Sequence, residues 1–243
     1  MSTAVVVIDL QYDFIDPLSS SVGHFEKAIA IPGVQALLDS AHSRGWTVYH
    51  AITVHDGTHT MPRFLQDRVK PYCLRGSPGA AIVGRLQAPS DVVVEKQSYS
   101  ALSGTNLREQ LAEYKTVILA GTSIDCCVLL TAFNAMELTA ANLLVPYQAV
   151  SATSEEAYAA GLAIVSKSAA QVVDLQDLLA PAVDLGHVAA ADPISQIARA
   201  WVRPRLERAA QIAGGLKEQA PAQLELLVDQ LVGLSDGGQY TRP

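Results

Sequence analysis

The chain has 243 residues, 49% of them hydrophobic and 17% charged, with a net charge of -7. That is enough apolar material for one sizeable core with an appendage, which excludes a disordered chain. The acidic balance and the lack of any Lys/Arg run exclude a nucleic-acid binder, whose affinity rests on clustered cations meeting phosphates.

No apolar stretch approaches the roughly 20 residues that span a bilayer, so no membrane partner is expected. The opening "MSTAVVVIDLQYDF" has no basic n-region and turns acidic too early for a signal peptide. The three cysteines, Cys73, Cys126 and Cys127, are odd in number and two are adjacent. A reducing cytoplasm is the expected setting, where a cysteine is kept for packing or reactivity.

In chain order, "AVVVIDL" (4–10) reads as a strand, and 31–44 as a helix that opens at Ile31-Pro32 and stops at Gly45. Strands follow at 46–53 and 91–96, a helix at 104–114, a strand at 116–121 and a helix at 125–139. The pattern continues with a strand at 142–147, a helix at 153–166 and a strand at 170–175. The strands are nearly unbroken apolar runs, as parallel strands buried on both faces require. Alternating β and α elements imply right-handed crossovers. The expected fold is α/β: a doubly wound, mainly parallel six-stranded sheet with helices on both faces, Rossmann-like, plus a helical C-terminal extension.

Two regions break the rhythm. Residues 54–90 form a Pro/Gly-rich connection longer than a structural loop needs, which marks a functional loop. From about 186 the chain changes character. Ile194, Ile197 and Trp201 fall on one helical stripe, and Leu224, Leu227, Val228 and Leu231 on another. The expected division is therefore 1–185 for the main domain and 186–243 for a helical extension packed on it or on a partner subunit.

In an open parallel sheet, ligands bind beyond the carboxyl ends of the strands. Asp9 ends the first strand, Lys96 the third, and "AGTSIDCC" follows the fourth, so a carboxylate, an ammonium and a thiol fall on one edge. Singly, each has a structural reading: a loop cap, a solvated lysine, a small core residue. Together they compose an acyl-transfer site without histidine. A thiol near pKa ~8.5 is activated as thiolate by a helix N-terminus and an ammonium. The carboxylate carries its proton to a leaving amine. Backbone N–H groups at the same turn hold the oxyanion. Adjacent helical residues lie about 100° apart around the axis, so one cysteine faces the cleft and the other packs.

Four segments, "VVVIDLQYDF", "GSPGAAI", "VVVEKQSYSALSGTNL" and "VILAGTSIDCCVLLTAFNA", resemble in order and spacing the isochorismatase-like cysteine hydrolase superfamily, which includes nicotinamidases and N-carbamoylsarcosine amidases. The match runs over roughly residues 3–180. The resemblance implies Asp9 as general base, Lys96 as stabilising cation and Cys127 as nucleophile, with Cys126 at a variable position. It implies a cis bond between Thr122 and Ser123, with the Ser123 and Cys127 N–H groups as oxyanion hole. Phe14, Tyr12 and Gln11, with the 54–90 loop, are placed in the substrate pocket. Three residues depart from the family pattern: Ile124, Gln148 and Thr139.

Nicotinamidases hold a metal with an Asp-x-His pair and further histidines. Here the loop region offers His50, His55, Asp56 and His59 without that order, and Tyr72 where a histidine is expected. No metal and no cofactor are therefore expected. The implied activity is hydrolysis of a C–N bond in a small-molecule amide, ureido compound or lactam through a thioester, by a homo-oligomer. Two other readings remain: an isochorismatase-type vinyl ether hydrolase, against which the cysteine counts, and a non-catalytic binding or scaffold member of the same fold.

Overall fold

The computed structural model describes residues 2–16, 18, 22–57 and 70–191. His59 and both C-terminal stripes lie outside the described residues. Strands β1 (Thr3–Ile8), β2 (Thr47–Thr53), β3 (Val92–Lys96), β4 (Thr116–Thr122), β5 (Asn142–Pro146), β6 (Val150–Ser151) and β7 (Gln171–Val173) make one sheet. Its order is β3-β2-β1-β4-β5-β7, with β6 pairing β4 and every ladder parallel. The expected sheet thus gains a two-residue strand, β6, too short to leave a periodic signal.

The chain turns from one half of the sheet to the other between β1 and β4. Such a switch point opens a crevice at the strands' carboxyl ends. All six residues of β1 are buried, and they alternate between two cores. Ala4, Val6 and Ile8 face one, while Val5 and Val7 face the other. The first core is closed by α3 (Leu107–Leu111), α4 (Cys127–Leu138) and α5 (Glu155–Ser168). The second is closed by α2 (Ile31–Ser43) and α6 (Leu175–Leu179), after the short α1 (Tyr12–Ile15).

Local chemistry explains these limits. Helix α2 begins with Pro32 in its first turn, and Gly45 leaves it at φ 66°. Helix α5 is capped by Ser154, which accepts from the Ala157 N–H, and carries Glu155 and Glu156 in its first turn. The helix expected over 104–114 shortens to 107–111. Gly104 sits at φ 74° before it, and the Thr105 hydroxyl caps the Leu107 N–H.

The later part of the long loop folds back onto β1. Val83 N–H donates to the Leu10 carbonyl at 2.9 Å and Tyr12 N–H to that of Ala81 at 3.2 Å. Gly79 belongs there because a Cβ would lie 2.1 Å from the Asp13 carboxylate, whose other oxygen accepts the Cys73 N–H at 2.6 Å. Among the described residues, no helix is long and apolar enough to cross a membrane.

Candidate active site

Asp9 leaves β1 in the left-handed region at φ 54°, a conformation that aspartate tolerates better than most residues. Its N–H donates to the Ala51 carbonyl at 2.9 Å. One carboxylate oxygen accepts the Thr53 N–H at 3.1 Å and the Thr53 hydroxyl at 2.8 Å. The other accepts Lys96 Nζ at 2.8 Å. Lys96 also donates to the Thr53 hydroxyl at 2.8 Å and the Ser98 carbonyl at 3.0 Å, which uses all three ammonium hydrogens. The ends of β1, β2 and β3 are thus tied by one charged network. Asp9 is 1% exposed and Lys96 2%. Burial works against the Lys96 charge, but Asp9 and Cys127 outweigh it and hold its pKa above the ordinary lysine value.

Cys127 opens α4 and is buried; Cys126, the preceding residue, is half-buried. The Ser123 carbonyl accepts both the Cys126 and the Val128 N–H at 3.0 Å, which fixes the turn into the helix. The Thr122–Ser123 bond is cis, and the Ser123 hydroxyl donates to the Asp125 carboxylate.

The sequence led us to expect a thiol activated by the helix N-terminus and Lys96. Instead the Cys127 thiol is pushed up, first by its hydrogen bond with Cys126, then by burial and the Asp9 charge. Lys96 opposes that shift. Cys126 is drawn down by the same hydrogen bond. The two hydrogen-bonded thiols titrate as one pair, in which Cys127 is the harder to ionise. Cys127 rests protonated, beside a carboxylate.

A cavity of about 210 Å³ lies over the two cysteines. Phe14, Lys27, Tyr72, Tyr99, Ser123 and Asp125 contribute to its wall. Tyr72 meets Phe14 edge-on with ring centres 5.5 Å apart, and His55 at 5.0 Å. Of the three residues placed in the pocket from sequence, only Phe14 lines it. The Gln11 amide donates to the Thr53 carbonyl at 2.8 Å and the Ala80 carbonyl at 2.7 Å, and accepts the Thr53 N–H. The Tyr12 hydroxyl accepts the Gly84 N–H at 3.2 Å. Both hold the loop rather than the cavity.

Sequence reasoning missed Lys27 and Thr53. Thr53 had a signal, as a hydroxyl ending the second strand beside two other polar strand ends. Lys27 had none, since its short 3₁₀ segment, Phe25–Ala30, shows no readable period.

The departures from the family pattern fall away from the cavity. Gln148 is bonded to Asp174 and to the Leu175 N–H. Ile124 is fully buried, and Thr139 closes α4 by bonding Ala135.

Of the histidines weighed as metal ligands, His50 and His55 are described and His59 is not. His50 bonds Asp91 at 3.1 Å, and His55 packs on Tyr72. Among the described residues no three His, Cys, Asp or Glu side chains gather around a common point.

Three comparisons bear on this arrangement. An isochorismatase family protein from Desulfovibrio vulgaris superposes with a TM-score of 0.66 and 27% identity, covering 73% of this chain and 96% of that one. A nicotinamidase from Bacillus subtilis gives 0.63 and 25%, covering 71% and 99%. A probable inactive nicotinamidase of Arabidopsis thaliana is 28% identical over 171 residues, 66% of this chain and 86% of the relative. The isochorismatase domain model matches residues 3–177, from the first residue of β1 into α6 and across the whole cavity, and the chain belongs to that family.

Proposed function

We propose that the protein is a cysteine hydrolase of a small C–N substrate, an amide, ureido compound or lactam, working through a thioester on Cys127. The observation that carries this reading is the buried Asp9–Lys96 pair behind the thiol, with both charges acting on Cys127.

Asp9 takes the Cys127 proton as sulfur attacks the carbonyl carbon. The oxyanion forms against the Ser123 and Cys127 N–H groups. The C–N bond breaks, and the amine leaves with the proton that Asp9 held. Water then attacks the thioester and gives Asp9 a proton. The acid departs and the proton returns to sulfur. A raised thiol suits this order, because the base removes the proton during attack and no standing thiolate is needed. Lys96 keeps Asp9 ionised and placed.

A second reading is favoured by the same raised thiol: a member that binds without turnover. Iodoacetamide separates them. A catalytic Cys127 reacts near neutral pH much faster than Cys73, whose thiol burial pushes up. Slow labelling of Cys127 together with no amine or ammonia release from any amide, against a Cys127→Ser blank, would leave only the inert reading.

A further inference from the structure

Lys27 is a second lysine in this site, and its surroundings differ from those of Lys96. It lines the cavity with Cys127 and is 6% exposed. Its Nζ donates to the Val22 carbonyl at 2.7 Å and stands 5.3 Å from the centre of the Phe14 ring. Lys96 has the Asp9 carboxylate in contact. Lys27 is in no ion pair among the described residues. An ammonium has three hydrogens to donate, and among the described residues one carbonyl and one ring face leave it short of partners. Burying a cation so is costly unless something else in the cavity completes the shell. Burial draws its pKa down, while the Asp125 and Asp9 carboxylates pull the other way. Asp125, the one carboxylate in the cavity wall among the described residues, is engaged by the Ser123 hydroxyl.

We propose that Lys27 binds a carboxylate borne by the substrate, so that the enzyme acts on small anionic amides rather than neutral aromatic ones. This deepens the amidase reading and rests on it for the word substrate. The cavity supports a compact molecule: about 210 Å³ is below the roughly 300–1,000 Å³ of pockets for drug-sized ligands. One end presents the scissile carbonyl to Cys127. The other places its carboxylate on Lys27, against the Phe14 edge of the cavity. A neutral amide of the same size would leave the ammonium unfilled, and such omissions discriminate strongly in closed sites.

The test uses two alkylating probes of one size, iodoacetate and iodoacetamide, which differ only in charge. The Cys127 sulfur displaces iodide from the CH2 carbon of each, iodide and the thiol proton pass to solvent, and peptide mass mapping locates the thioether. Relative to a free thiol, Cys127 should favour iodoacetate over iodoacetamide by about ten-fold, the scale of one charge-assisted hydrogen bond. Lys27→Met should abolish that preference and Lys27→Arg retain it. No wild-type preference would overturn the proposal without recourse to any variant. So would a preference that survives Lys27→Met, or an equal loss of both rates, which would make Lys27 a tuner of the thiol. Because labelling needs no turnover, an amidase failure is read separately, from ammonia release in an amide screen with Cys127→Ser as blank.

Discussion

Asp9 and Lys96 are each nearly inaccessible, so removing one strands the other. Lys96→Ala leaves a buried carboxylate with only Thr53 for company. It should cost about 3–5 kcal/mol of stability, read from urea unfolding. It should also slow turnover and displace the thiol's titration upward, because Lys96 is the charge that opposes Asp9 at Cys127. An unmoved pH–rate profile would contradict that role. The cysteine pair is tested by exchange. Cys127→Ser should lower kcat by roughly a thousandfold or more, while Cys126→Ser should keep most of the activity. If the Cys126 variant is the dead one, the nucleophile has been assigned to the wrong sulfur. Cys126→Ala removes the hydrogen bond that holds the Cys127 thiol up, so the surviving thiol should titrate lower.

The strands were legible because their apolar runs are continuous: β1, β4 and β5 fall within two residues of their expected limits. The 3₁₀ segment carrying Lys27 was not, since six residues without amphipathic spacing resemble a loop. Asp9, Lys96 and Cys127 could be picked out by one rule, that chemistry sits where parallel strands end. Gln11 and Tyr12 misled because they follow Asp9 closely in sequence, while the turn sends their side chains to the loop. Which way a residue faces after a strand ends depends on backbone angles that no pattern of residue types encodes.

The same close packing yields a prediction for Gly121. It stands at φ 108°, and a Cβ there would lie 2.1 Å from the Ile8 carbonyl oxygen, next to Asp9. Gly121→Ala should cost about 3 kcal/mol or more. Gly57→Ala, at φ 85° with nothing within 4 Å, should cost about 1 kcal/mol. Equal urea midpoints for the two variants would refute the close approach.

Across the whole molecule, stability should form a plateau bounded on both sides of neutrality. His50 is kept neutral by burial, with its pKa drawn below the ordinary 6.5. The unfolded chain takes up that proton first, so stability falls as pH drops below about 6.5. His50→Gln should flatten that limb. Lys96 is held above its ordinary 10.5 by Asp9 and Cys127 against burial, and burial raises Tyr49 and Tyr72 above 10.0. In each case the unfolded chain loses the proton first, so stability declines as pH rises past that range. Urea midpoints from acid to alkaline pH check both limbs; a curve still rising above neutrality would be inconsistent with these burials.

Gln11 joins parts of the chain that lie far apart, with its amide nitrogen on the carbonyls of residues 53 and 80. Hydrolysis at that nitrogen is the change this latch tolerates least. Hydrolysis of the amide to a carboxylate swaps two N–H donors for an oxygen that faces two carbonyl oxygens and repels both. One such hydrolysis would unlatch the loop and leave Asp9, Lys96 and Cys127 in place. The loop would then lose its hold on β2 with no change at the charged strand ends.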